Sequence, residues 1–197
     1  MKQATETLHE LGALENGKIT PHGKELHELP CHPRIAHMLL MAEKEGLLGL
    51  ACDLAALLEE RDPLNAESGI DINTRIEMLR RVRRDNSQHR NFWRIDKVAA
   101  SYRKMFQAEV ENEAYDPYQT GILLAYAFPE RIAFARPGNN AQFQLANGKY
   151  AFASHKDDLA HEPWLAIAHL DARDGLGKIF MAAPLNPRDL APLVKEK

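Results

Sequence analysis

Residues 121–136, reading Gly-Ile-Leu-Leu-Ala-Tyr-Ala-Phe-Pro-Glu-Arg-Ile-Ala-Phe-Ala-Arg, leave the chain few choices. The first half is apolar on every side, which suits only a helix covered by neighbours all round. Pro129 then ends or kinks that helix, because it lacks the backbone donor and its ring meets the preceding turn. Beyond it, Ile132, Ala133 and Phe134 can stay on a core while Arg131 and Arg136 project outward. Pro137-Gly138-Asn139-Asn140 is a turn signal, with strand character after it. The stretch reads as a central helix that hands a helical part over to a β part, with two guanidinium groups at the junction.

The 197 residues are enough for one sizeable domain or two small ones, and 45% hydrophobic with 27% charged residues is ordinary for a globular chain. No apolar run reaches the roughly twenty residues that a bilayer requires, and Met-Lys-Gln-Ala-Thr-Glu carries no signal core. The expected location is the cytoplasm, with no membrane partner. Cys31 and Cys52 are too few for a disulfide framework. The net charge of −3 argues against a nucleic-acid binder, but residues 75–104 hold ten Lys or Arg against three acids, +7 locally and −10 elsewhere. Such a region fits phosphate binding or a solvated helix face, and charge alone reads as the solvated face.

From the amino terminus, residues 5–14 read as the tail of an amphipathic helix, and 15–18 as a turn before a very short extended piece at Ile19-Thr20. Thr20 with Pro21 starts a helix that Pro30 stops. Helix, short strand, helix is the second half of a winged-helix unit. Pro33 opens a helix ending at Gly46, residues 47–60 form another, and Asp71 caps a third whose end is crowded by Arg80, Arg81, Arg83 and Arg84. A long amphipathic helix from Phe92 to about Glu113 precedes the central one. After it, residues 141–146 and 150–154 flank Asn147-Gly148, a strong hairpin dipeptide, and strands are expected at 164–170 and 177–183, with a closing helix at 187–194. Four short strands with one helix predict a small barrel or sheet, incomplete at its carboxyl end. The fold class expected is therefore mainly α with a carboxyl-terminal β part, α+β.

No phosphate loop, dinucleotide fingerprint or nucleophile elbow is present in the 197 residues, so no catalytic residue is assigned. Cys31 and His32 beside His22, His27 and His37 fit no metal spacing and read as a buried thiol among surface imidazoles. Glu59, Glu60 and Asp62 could be paired carboxylates but read as solvated helix-end acids. Arg131 and Arg136 could grip a phosphate or stack on a base; they read as well as a helix-end salt bridge to Glu130 or Asp157. Asn147-Gly148-Lys149-Tyr150 joins a small residue, a cation and a ring on one hairpin, suited to base stacking, and reads also as an ordinary tight turn.

The ordered set Leu11-Gly12-Ala13-Leu14, Ile19-Thr20-Pro21-His22-Gly23-Lys24 and Leu29-Pro30-Cys31-His32-Pro33-Arg34-Ile35-Ala36-His37-Met38-Leu39 resembles the junction of winged helix and ratchet domain in DEAH-box helicases. Leu54-Ala55-Ala56-Leu57-Leu58-Glu59-Glu60-Arg61-Asp62-Pro63, Asp71-Ile72-Asn73-Thr74-Arg75, Phe128-Pro129-Glu130-Arg131-Ile132-Ala133 and Gln144-Leu145-Ala146-Asn147-Gly148-Lys149 resemble the bacterial HrpB branch. The resemblance runs from Leu8 to about Ala183 and is weakest between Val82 and Asp116. It implies a partial winged helix at 1–32, a helical ratchet (helicase-associated) bundle at 33–135 and an incomplete OB-like β domain at 136–197. It further implies a carboxyl-side accessory segment of an ATP-dependent RNA helicase. ATP and Mg would bind to RecA-like motor domains elsewhere in the parent chain, with no cofactor in this segment. Single-stranded RNA, or DNA, would pass along it, near Arg131, Arg136, Asn147 and Lys149. The alternative is a free-standing winged-helix or helical-bundle interaction module without catalysis.

Overall fold

The structure, a computed structural model, describes residues 2–171 and 175–191, and for Asn139 and Asn140 the backbone alone. A first helix, α1 (Lys2–Glu10), leads into a two-stranded ribbon of β1 (Leu14–Glu15) and β2 (Lys18–Ile19), followed by α2 (Pro21–Glu28). Thr20 accepts a hydrogen bond from the Gly23 amide at 2.9 Å and Pro21 occupies the first helical position, the start expected from the sequence.

Five helices then stack: α3 (Pro33–Glu45), α4 (Leu48–Glu59), α5 (Ile72–Asp85), α6 (Arg90–Phe106) and α7 (Pro117–Ala127). The α6 helix stops short of the expected Glu113. Gln107 takes the left-handed conformation with φ 54° and its amide closes the last turn, after which residues 108–116 run as an irregular strap. In α7 every residue from Thr120 to Ala127 is buried, as its all-round apolar sequence requires. It packs on α3 and α4 from one side and on the β part from the other.

The β part has five strands where four were expected. They are β3 (Ile132–Arg136), β4 (Asn139–Leu145), β5 (Tyr150–Phe152), β6 (Trp164–Asp171) and β7 (Leu176–Pro184). The added strand is the segment after Pro129, where one 3-10 turn intervenes before the chain extends. Of the expected barrel or sheet it is the barrel that forms: the order β3-β4-β5-β7-β6 closes on itself, antiparallel throughout except between β5 and β7. Closure works because β3 pairs on both edges, with β4 and with β6. Of the expected closing helix, Pro187–Leu190 forms a 3-10 turn, and residues 192–194 lie outside the described residues.

Two cores share a wall. Phe143, Leu145, Leu165, Ile167 and Ile179 fill the barrel, whereas Ala166, Ala168, Met181 and Ala183 join the helical core. Covered on both faces, β6 is a continuous apolar run rather than an alternating one. At this wall the α7 backbone lies against β7, and a Cβ built on Gly121 would come within 2.0 Å of the Pro184 carbonyl oxygen. Gly121 is therefore required by close approach.

Candidate nucleic-acid interface

Of the ten cations between residues 75 and 104, expected to form a solvated face, four instead enter a buried ion-pair system. Asp53, 1% exposed on the otherwise apolar α4, receives Arg80 at 3.1 Å, Arg83 at 2.7 Å and Arg103 at 3.5 Å. Arg83 also meets Asp96 at 2.8 Å, and Arg75, itself buried, forms a two-pronged pair with Asp62. Burial pulls the Arg83 guanidinium down, but hydrogen bonds and charge from Asp53 and then Asp96 more than offset this and hold it above its ordinary value. Arg80 and Arg83 also donate to the Glu113 and Glu111 carbonyls, tying down the strap after α6. These guanidinium groups hold the bundle together; Arg81, Arg84, Arg90, Arg94, Lys97 and Lys104 remain at least partly open to solvent.

The carboxylates and imidazoles also differ from their sequence reading. Glu59 accepts the Tyr102 hydroxyl and Asp62 is engaged by Arg75, so both have structural partners. His37 is largely buried rather than on the surface, 2.7 Å from His22, and burial followed by the charges of His22 and Lys44 pushes it down to about 4. Burial pushes the Cys31 thiol up to about 11 and the Cys52 thiol up to about 12.

At the helix-to-barrel junction, Phe128 ends α7 and both Arg34 and Arg131 lie over its ring, at 5.3 and 4.5 Å. Arg34 donates to the Ala127 carbonyl at 2.8 Å, capping α7, and pairs with Glu130 at 2.9 Å. Arg131 turns inward and donates to the Ala168 carbonyl of β6; its contact with Glu130 is long, at 4.0 Å. Burial lowers its pKa, Glu130 raises it and Arg34 lowers it.

The other expected contacts lie along one connected strip of surface. The Asn147 amide donates to the Glu130 carbonyl at 3.3 Å, seating the β4–β5 hairpin beside Arg131. The Asn147 Oδ1 accepts the Lys149 amide at 3.0 Å, and Gly148 with φ 84° makes the turn. Lys149 is exposed and adjoins Tyr150, over whose ring Arg136 lies at 4.6 Å; Arg136 also donates to Gln142 at 3.1 Å. Neither Arg131 nor Arg136 pairs with the expected Asp157, which instead caps the 3-10 turn before β6 and accepts the Ile70 amide. Thus Asn147, Lys149 and Arg136 are exposed on the β3–β4–β5 part of the barrel, with half-buried Arg131 beside the residue that seats the Asn147 turn.

Residue type alone did not disclose the aromatic row beside them. Outward positions of β3, β4 and β5 place Phe134 opposite Gln144 and Gln144 opposite Tyr150, and Trp164 of β6 pairs with Phe134, ring centroids 5.6 Å apart. Phe134 remains 39% exposed. The alternation along β3, Ala133 and Ala135 inward against Phe134 and Arg136 outward, was the available signal. Cations and rings on a curved sheet can neutralise phosphate and stack on bases without reading sequence.

Residues 32–111 match the family model of the helicase associated domain (HA2), ratchet-like. Over 163 residues the chain is 29% identical to the ATP-dependent RNA helicase HrpB of Escherichia coli (strain K12), covering 82% of this chain and 18% of that protein. It is 35% identical over 69 residues to the ATP-dependent RNA helicase HrpA of the same organism, 32% of this chain and 5% of that one. Two solved structures of E. coli HrpB superpose, described as a DExH-box NTPase and a DEAH/RHA helicase. Their TM-scores are 0.75 and 0.72, each at 26% identity, covering 98% and 93% of this chain and 22% and 21% of theirs. The chain thus spans about a fifth of the length of the HrpB relatives it matches. Residues 32–111 thus carry a helicase associated domain (HA2), ratchet-like, and the likeness to HrpB continues from that bundle across the barrel.

Proposed function

We propose that this chain guides single-stranded RNA for an ATP-dependent helicase of the HrpB type, whose RecA-like motor domains bind ATP and Mg and perform hydrolysis. The observation that carries the reading is the β4–β5 hairpin itself, whose Asn147 is seated on the Glu130 carbonyl next to Arg131 and whose Tyr150, following exposed Lys149, bears the Arg136 guanidinium. Arg136 is the leading phosphate or base contact, because it is exposed and its planar group already rests on a ring. Lys149 adds a mobile charge, and Asn147 with Gly148 presents backbone that a strand can approach closely. Arg131 supports the edge from behind by fixing Phe128 and β6, a positioning role. The winged-helix character of residues 1–32 and the boundaries at 33–135 and 136–197 belong to the same proposal.

The test is binding of labelled single-stranded RNA, single-stranded DNA and duplex RNA to the chain at two salt concentrations. Binding to single strands should weaken with salt and tolerate changes of sequence. The double substitution Arg136→Gln with Lys149→Gln should reduce the salt slope by about 1.4, roughly 0.7 for each phosphate no longer neutralised. A preference for duplex would favour a free-standing winged-helix module instead. In the parent helicase, deletion of the segment should abolish unwinding while ATP hydrolysis by the motors persists.

A further inference from the structure

Away from the barrel, α6 carries a surface that the proposed function does not use. Arg90, Arg94 and Lys97 recur at helical spacing on its outer side, with Trp93 among them at 63% exposure, the most exposed large hydrophobic side chain among the described residues. Lys97 Nζ lies 3.8 Å from the Trp93 ring centroid. Two clefts flank this stripe and share Arg90 and Arg94 as lining. One, of about 840 Å³, lies against the loop after α4 and brings Arg61 to face them; the other, of about 1220 Å³, includes Trp93 and Lys97. Each is roomy enough for a nucleotide-sized group.

The charge balance of the first cleft selects its occupant. Of its two carboxylates, Asp62 is already neutralised by Arg75, and Glu60 offsets Arg94 across 3.4 Å, leaving Arg61 and Arg90 in excess. A ring with a cation over one face, beside surplus guanidinium groups, suits a ligand that is both polyanionic and aromatic. We propose that the Arg61, Arg90, Arg94 cleft and the Trp93 shelf form a second single-strand contact, holding phosphates in the cleft and stacking a base on Trp93. This extends the guiding role from the barrel edge across the bundle and rests on that reading, but on different residues.

The experiment titrates the full chain with a single-stranded oligouridylate while following tryptophan emission. It compares the parent with Trp93→Phe, Trp93→Ala, Arg90→Gln/Arg94→Gln and Arg136→Gln/Lys149→Gln. The parent should quench on binding, and the Trp93 share of the quench should vanish in Trp93→Phe. Trp93→Ala should weaken binding about 10-fold to 100-fold, and the Arg90/Arg94 pair should lower the salt slope by about 1.4. Circular dichroism checks that these exposed substitutions leave the fold intact. If the Trp93 emission is unmoved at saturation and the Arg90/Arg94 variant binds like the parent while the Arg136/Lys149 variant does not, the second contact is wrong and the barrel reading stands. If no variant differs because the parent itself does not bind, both are wrong. Should polyglutamate quench Trp93 while the oligonucleotide does not, the surface is an acidic-protein site and the proposal is overturned.

Discussion

The arginines of the bundle and those of the barrel edge put one side chain to opposite uses. On α5 and α6, Arg80, Arg83 and Arg103 converge on Asp53, and their charge is met inside the molecule by Asp53 and Asp96. On β3, Arg136 has no carboxylate within ion-pairing distance among the described residues and lies on an exposed strip beside Tyr150 and Lys149. A count of basic residues along the sequence cannot separate these cases; the position of one buried carboxylate does. The cluster around Asp53 is therefore where substitution should cost folding, and the barrel edge where it should cost binding.

The largest effect expected is at Asp53. Asp53→Asn leaves three guanidinium groups in and around the buried site without their shared counter-charge and should remove about 3–5 kcal/mol of stability, read by urea denaturation. A loss below about 1 kcal/mol would break the contrast, placing these arginines with the solvated ones. Next comes Gly121→Ala, whose added methyl meets the Pro184 carbonyl and should cost about 1–3 kcal/mol, because the obstacle is backbone. If bundle and barrel signals then melt at different temperatures, the shared wall does not couple them.

Acid should weaken the bundle through His37. Its pKa in the folded chain lies at about 4, below the ordinary value of 6.5, so the contribution is full above pH 6.5 and is lost as pH falls toward 4. Protonation has to break the neutral state of this largely buried ring beside His22, and about 3 kcal/mol should disappear across that window. His37→Gln should flatten this part of the stability profile, measured by thermal melts between about pH 7 and pH 4. Smallest in stability is Arg136→Gln, which should stay within about 0.5 kcal/mol of the parent while weakening single-strand binding several-fold. A large loss of stability there would erase the distinction between the two regions.

Much of the helical part was legible because its signals are local. Proline at the first position of α2, α3 and α7 and side-chain caps at Thr20, Asp71 and Asp116 lie within a few residues of what they control. The end of α6 was less so, since Gln107 stops the helix without a glycine or proline to announce it. Burial of Arg80 depends on a carboxylate 27 residues away in sequence, on a helix that looks simply apolar. The strand at 132–136 was hidden for a related reason: its partners are β4 and β6, and only their arrival makes an extended conformation favourable. Of the candidate site, the hairpin and Arg136 were readable from residue type and turn chemistry, whereas the inward turn of Arg131 and the outward Phe134–Trp164 pair needed the register of three strands.

The missing side chain at Gly121 has a mechanical consequence. With main chain resting on main chain, no cushion of flexible methylene groups separates α7 from β7, so the joint is short and stiff. A displacement of the barrel would therefore reach the helices through that joint with little slack.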